Sequence, residues 1–140
     1  MKRYEYISHT ADLKVKAHGK TLEEAFINAA AGGFDFLTGE GKVQKKIEKK
    51  ISISSKREES LLYDFIEQLL FLLDTERFLF CGAKDAKISK KKEGLLFECT
   101  ALGDNCRNYT TQGDIKAVTY SEMKIDKVPG GFTVQVVFDT

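Results

Sequence analysis

The sequence predicts an α+β fold: a mostly antiparallel sheet with two main helices packed on it. Three observations carry that expectation. Several short stretches alternate apolar and polar residues, the period of a half-buried strand. Two longer stretches repeat their apolar residues at helical spacing. The two helical stretches fall between groups of strands, an order that suits hairpins better than repeated parallel crossovers.

Taken in order, Arg3 to Ile7 reads as a short strand. Leu13, Val15 and Ala17 alternate with Lys14, Lys16 and His18 in a second strand, which Gly19 breaks. Thr21 with Glu24 forms a capping-box pattern that starts the first helix, with Leu22, Ala25, Phe26, Ala29, Ala30 and Phe34 on one face. Gly39 and Gly41 end it. Ile47, Ile51 and Ile53 share parity, which predicts a strand over Lys45 to Ser55. Ser55 with Glu58 offers a second capping box. Leu61, Leu62, Phe65, Ile66, Leu69, Leu70 and Leu73 then define the second helix, ending near Asp74 to Arg77. Strands follow at Phe78 to Ile88, Leu95 to Ala101, Ile115 to Ile125 and Phe132 to Phe138, with Gly130-Gly131 as the turn between the last two.

A single domain over residues 1–140 is expected, because the length supports a hydrophobic core and no linker, repeat or low-complexity tract divides it. Hydrophobic residues make up 42% and charged residues 31%, an ordinary globular composition. The net charge of +1 does not suit a protein whose main task is gripping phosphate backbones. Cys81, Cys99 and Cys106 are odd in number and widely spaced, poor material for disulfides or zinc. A reducing, cytoplasmic setting is the expectation. No apolar run reaches the length of a membrane span, and no signal segment opens the chain. No phosphate-cradling loop, nucleophile elbow or helical histidine pair is present. Nothing in the motifs therefore points to an enzyme.

The candidate site joins the two ends of the chain. Asp12 lies in the turn entering the second strand, and Asp139 and Thr140 close the last. If the terminal strands meet, two carboxylates and the oxygens of Thr140 gather at one rim. That all-oxygen supply favours a hard divalent cation such as Ca²⁺ or Mg²⁺. Without a cation, two such carboxylates repel. On the residues alone, the plainer reading stays open: Asp12 caps a turn and Asp139 is a solvated terminal residue.

Four segments, in order, resemble the archease family. They are His9-Thr10-Ala11-Asp12 with the strand and helix after it, Leu61-Leu62-Tyr63-Asp64-Phe65-Ile66-Glu67-Gln68-Leu69-Leu70, Lys116-Ala117-Val118-Thr119-Tyr120, and Phe138-Asp139-Thr140. The resemblance implies that Asp12 and Asp139 bind a divalent cation, with Thr140 contributing. It also implies an accessory activator rather than an enzyme. Its partner is an RtcB-type RNA ligase of tRNA splicing and RNA repair, whose guanylylation and multiple turnover it promotes. Two histidines common in relatives are missing. The loop Asp104 to Thr110 has none, and Ser121 follows the Thr-Tyr pair. Roles resting on those histidines do not carry over.

Other residues admit two readings each. His9 supports the metal ligands or touches the ligase, or it simply bonds nearby backbone. Lys116 meets a phosphate or an acidic partner, or it is an exposed structural lysine. The lysine runs Lys42 to Lys50 and Lys84 to Lys92 contact tRNA, or they form a solvated face that guards a sheet edge. The helix Leu61 to Leu73 is core, with its flank as the alternative partner face. A chaperone or protein-modifying adaptor is the competing function, and it requires a large exposed apolar patch.

Overall fold

The structure, a computed structural model, describes residues 3–8 and 12–140. Strand β1 (Tyr4–Ile7) pairs antiparallel with β2 (Leu13–Gly19). Leu13, Val15 and Ala17 are buried while Lys14, Lys16 and His18 are only partly so, as the alternation requires.

Helix α1 (Leu22–Thr38) starts where the sequence places it. The Thr21 hydroxyl accepts a hydrogen bond from the Glu24 N–H at 3.1 Å, which satisfies one of the helix's free donors. The helix is buried over much more than a stripe, with Ala29 through Asp35 all enclosed. Its small residues explain how neighbours come so close. A Cβ on Gly33 would sit 2.5 Å from Cζ of Phe138, so only glycine lets the helix approach that ring.

The remaining elements are β3 (Ile47–Ser55), α2 (Glu58–Glu76), β4 (Phe78–Lys91), β5 (Gly94–Asn105), β6 (Ala117–Val128) and β7 (Gly131–Asp139). The strands divide into two antiparallel sheets. One has the order β1-β2-β7-β6 and the other β3-β5-β4. Helix α1 packs against β2 and β7 of the first sheet and β4 of the second, while α2 packs against β6 of the first and β3 and β4 of the second. The helices thus form a layer between the sheets, which is why α1 is buried nearly all round. The α+β class stands, and two antiparallel sheets take the place of a single one.

Two local expectations are corrected. Ser55 does not cap α2: it is still paired with Leu95 as the last residue of β3, and the N-cap is Arg57, with no side-chain cap bond. The Ser55 hydroxyl meets that of Ser60, which also donates to the Arg57 carbonyl oxygen. The last hairpin turns on Pro129 and Gly130, because Val128 pairs with Gly131. Proline suits the first turn position, since it has no N–H to give a ladder, and Gly130 takes φ of 84°. Gly131 is instead a close-approach residue, where a Cβ would lie 2.1 Å from the Gly19 carbonyl oxygen.

Fully buried aromatic rings tie the layers together. Phe65 of α2 meets Phe97 at 4.8 Å and Phe80 at 6.2 Å, both near edge-on. Phe26 and Phe34 of α1 reach the same two rings, at 5.8 Å and 5.7 Å. Strand β6 bulges between Thr119 and Lys124, with Glu122 at φ of 53°. Beyond the paired segment Tyr120 stacks flat on Tyr63 of α2, ring centroids 4.2 Å apart.

Candidate metal centre

Strand β7 enters the first sheet between β2 and β6, and this placement sets the strand ends that carry the candidate residues side by side. The β2–β7 ladder ends with Leu13 opposite Phe138. Asp12 and Asp139 are therefore the next residues on two neighbouring strands. Directly opposed residues share a face. Lys14 opposes Val137, so even positions on β2 and odd positions on β7 lie on the face away from the helices; Asp139 has that parity, and Asp12 is the residue just before β2. Asp139 is exposed, while Asp12 and Thr140 are partly so. On the other side of β7, Ala117 pairs with Asp139, and the Lys116 N–H donates to the Asp139 carbonyl oxygen at 2.7 Å. Lys116 thus stands at the same rim, with its exposed side chain on the opposite parity from Asp139.

The donor chemistry at this rim is all oxygen, which suits a hard divalent cation. Among the described residues no cluster of three or more His, Cys, Asp or Glu side chains forms a fuller cage. The rim therefore offers the Asp12 and Asp139 carboxylates with Thr140 beside them. His9 lies outside the described residues. Further along the same face, the Lys14 ammonium pairs with the Glu122 carboxylate at 3.0 Å.

The second lysine run lies mainly on β4, while the first begins in the segment before β3 and only Lys49 and Lys50 are on that strand; β3 and β4 flank β5. Some of their charge is locally answered: Lys49 pairs with Glu76 at 2.5 Å and Lys84 with Glu48 at 2.9 Å. The three cysteines are free. Cys99 is buried, which pushes its thiol up to about 12 and leaves it inert at neutral pH. Among the described residues no helix is long and apolar enough to cross a membrane.

Two buried carboxylates were not legible in the sequence. Asp35, on α1, accepts from the Tyr4 hydroxyl at 2.7 Å and from the Arg3 guanidinium at 3.3 Å, while burial holds its carboxyl above the usual carboxylate range. It borders a cleft of about 600 Å³ shared with Arg3, Tyr6, Phe36 and Glu40, and neither Asp12 nor Asp139 lines that cleft. Asp104, at the end of β5, accepts from the Tyr109 hydroxyl at 2.7 Å, the Asn105 N–H at 2.8 Å and the Asn108 amide at 3.4 Å. The Tyr109 bond, first among these, holds its carboxyl below the usual range. The donors to Asp35 lie a helix and two strands away in sequence, so no local signal announces them.

Asp104 gives a pH prediction. Its folded-state pKa is depressed, so the stability it contributes is complete above the ordinary carboxylate pKa and is lost as pH falls through the folded value. Asp104→Asn should lower the melting temperature at neutral pH, and the gap from wild type should close in acid. Melting curves of both proteins from neutral to strongly acid pH test this, and a gap that persists unchanged into acid counts against it.

The family model of the Archease protein family matches residues 4–140. A protein archease from Pyrococcus abyssi is 37% identical over 133 residues, covering 94% of this chain and 93% of its own. The solution structure of Methanobacterium thermoautotrophicum protein 1598 matches with a TM-score of 0.84 at 34% identity, over 100% of both chains. The crystal structure of "an archease, possible chaperone" from Thermotoga maritima matches with a TM-score of 0.58, over 96% of this chain and 94% of that one. At 20% identity that likeness speaks to the fold alone. None of these relatives is named as an enzyme.

Proposed function

The chain belongs to the archease family, and on that premise we propose that it is an accessory activator of an RtcB-type RNA ligase in tRNA splicing and RNA repair. It promotes guanylylation of the ligase and so sustains multiple turnover. Asp12 and Asp139, with Thr140, hold a divalent cation, Ca²⁺ in the first place with Mg²⁺ or Mn²⁺ as alternatives, since the donors are all oxygen. When bound, such a cation supplies positive charge beside phosphate oxygens. The chain's own residues do the holding and presenting: the two carboxylates neutralise and orient, and the exposed Lys116 adds a cationic group at the same rim for an anionic partner.

One observation carries this reading. The β2–β7 ladder joins opposite ends of the chain and ends at the pair Leu13–Phe138, and the residue next to that pair on each strand is an aspartate. Two like charges set side by side repel, and a cation between them removes that cost. Three free thiols support action in a reducing cytoplasm. Contact with tRNA, if the lysine strands make it, is secondary, since part of their charge is already paired. The competing chaperone or adaptor reading needs a broad apolar surface. The large hydrophobic side chains exposed among the described residues are Tyr6, Phe71 and Tyr120.

The test is multiple-turnover joining of RNA by a cognate RtcB-type ligase with GTP and metal, with and without substoichiometric amounts of this protein. Stimulation of the later turnovers is the expected result. An active ligase that gains nothing from folded protein would move the chaperone reading to the front.

A further inference from the structure

Among the described residues, one flank of the layered structure is left open. On it, β6 is the edge of the first sheet, β3 is the edge of the second, and α2 lies between them. An edge strand carries a row of backbone N–H and C=O groups with no partner strand, and proteins usually guard such edges with charge. The guard on β3 has a gap. Lys49 and Lys50 stand before it and Lys56 and Arg57 after it, while Ile51-Ser52-Ile53-Ser54-Ser55 carries no charge.

The gap faces a groove of about 400 Å³ between Ser52–Ser54 of β3 and Asp64, Glu67, Gln68 and Phe71 of α2. Phe71 is 56% exposed although it lies on a helix whose other large apolar side chains are buried or partly buried. Helix α2 carries Glu58, Glu59, Asp64, Glu67, Asp74 and Glu76 and no basic residue. Among the described residues Asp64 and Glu67 make no ion pair, in contrast with Glu76, which Lys49 engages. The groove is thus a strand edge with free backbone groups, a wall of two unanswered carboxylates, and one exposed aromatic ring.

We propose that this flank is a docking site for an extended, basic segment of a partner protein, which adds as a strand to the open edge of β3. Backbone bonding to β3 supplies the sequence-independent part of the affinity. Alternate side chains of the added strand project toward α2. Lysine or arginine at those positions meets Asp64 and Glu67, and an apolar side chain covers Phe71. The charge of the wall selects a basic partner and rejects an acidic one. This surface is separate from the Asp12–Asp139 rim, and its test does not depend on ligase activity.

A displayed random-peptide library selected against the full chain tests the proposal, with the best peptide mapped by NMR amide shifts. The expected binders are rich in Lys and Arg and poor in Asp and Glu. They shift amides in residues 51–55 and along residues 63–71. Asp64→Lys with Glu67→Lys should weaken the selected peptide by about tenfold or more, with the circular dichroism spectrum unchanged. Phe71→Ser is the second variant should the double one fold poorly, and it should weaken the same peptide. Binders without a basic bias, shifts confined to other surfaces, undiminished affinity in the variants, or no binders at all would each overturn the proposal. So would concentration-dependent shifts of residues 51–55 in the protein alone, which would assign the edge to a second copy of this chain.

Discussion

Asp139→Ala should reduce stimulation of an RtcB-type ligase to the unstimulated level while leaving the protein folded, and Asp12→Ala should do the same. The expectation rests on how little else these residues do. Asp139 is exposed, and its backbone already serves the ladder through the Lys116 N–H, a bond that alanine keeps. Surface substitutions of this kind usually change stability by no more than about 0.5 kcal/mol, so the melting temperature should move by roughly 2 °C at most. What alanine removes is one of the two carboxylates proposed to hold a cation, and one carboxylate beside Thr140 is a poor site for a hard divalent ion. Asp139→Asn refines the test, since it keeps an oxygen of the same shape and loses only the charge. Calorimetric titration with Ca²⁺, run beside the turnover assay, should show binding weakened in all three variants. Stimulation that survives both alanine substitutions would remove the cation from the mechanism, even if the activator reading itself held.

The elements were legible because they rest on local rules. The alternation over Leu13 to Ala17 and the Thr21 cap need only neighbouring residues, and both appear as read. Ser55 misled because a capping pattern and a strand end look alike in sequence, and the pairing with Leu95 decides between them. Gly131 misled for a similar reason. Its missing side chain serves an approach to Gly19 rather than a turn, and Gly19 is on another strand. The division into two sheets was hidden because alternation reports which face of a strand is buried and not which strand lies beside it. The one hint was α1 itself: the run Ala29-Ala30-Ala31-Gly32-Gly33 is too small and too apolar for a helix with a wet side. At the site, the residue types suggested hard-cation chemistry, but their meeting could only be assumed. The strand ends that carry Asp12 and Asp139 are neighbours because β7 inserts between β2 and β6, a long-range choice that no spacing encodes. Asp35 and Asp104 stayed hidden on the same account, as buried acids whose phenolic partners, Tyr4 and Tyr109, look in sequence like ordinary strand and loop residues.

Phe65→Ala should have the opposite signature: a large loss of stability with stimulation retained wherever the protein is still folded. Phe65 is fully buried, and its ring meets both Phe80 and Phe97, which in turn receive Phe34 and Phe26 from the other helix. Truncation therefore opens a cavity at the junction of both helices with the second sheet. The aromatic neighbours are held by their own contacts and can collapse into it only in part. Such a change typically costs about 3–5 kcal/mol, which for a chain of this size lowers the melting temperature by roughly 10 °C or more. Phe65→Leu refills much of the volume and should lose appreciably less. The aspartate rim belongs to the first sheet, where β2, β7 and β6 hold it by their own ladders. Below the lowered melting temperature, Phe65→Ala should therefore stimulate the ligase as wild type does. A melting temperature that barely moves would mean that the aromatic cluster is loosely packed and closes over the gap. Lost stimulation in protein still folded by circular dichroism would mean that the second sheet and α2 help set the rim. The two substitutions together separate what keeps the chain folded from what it presents.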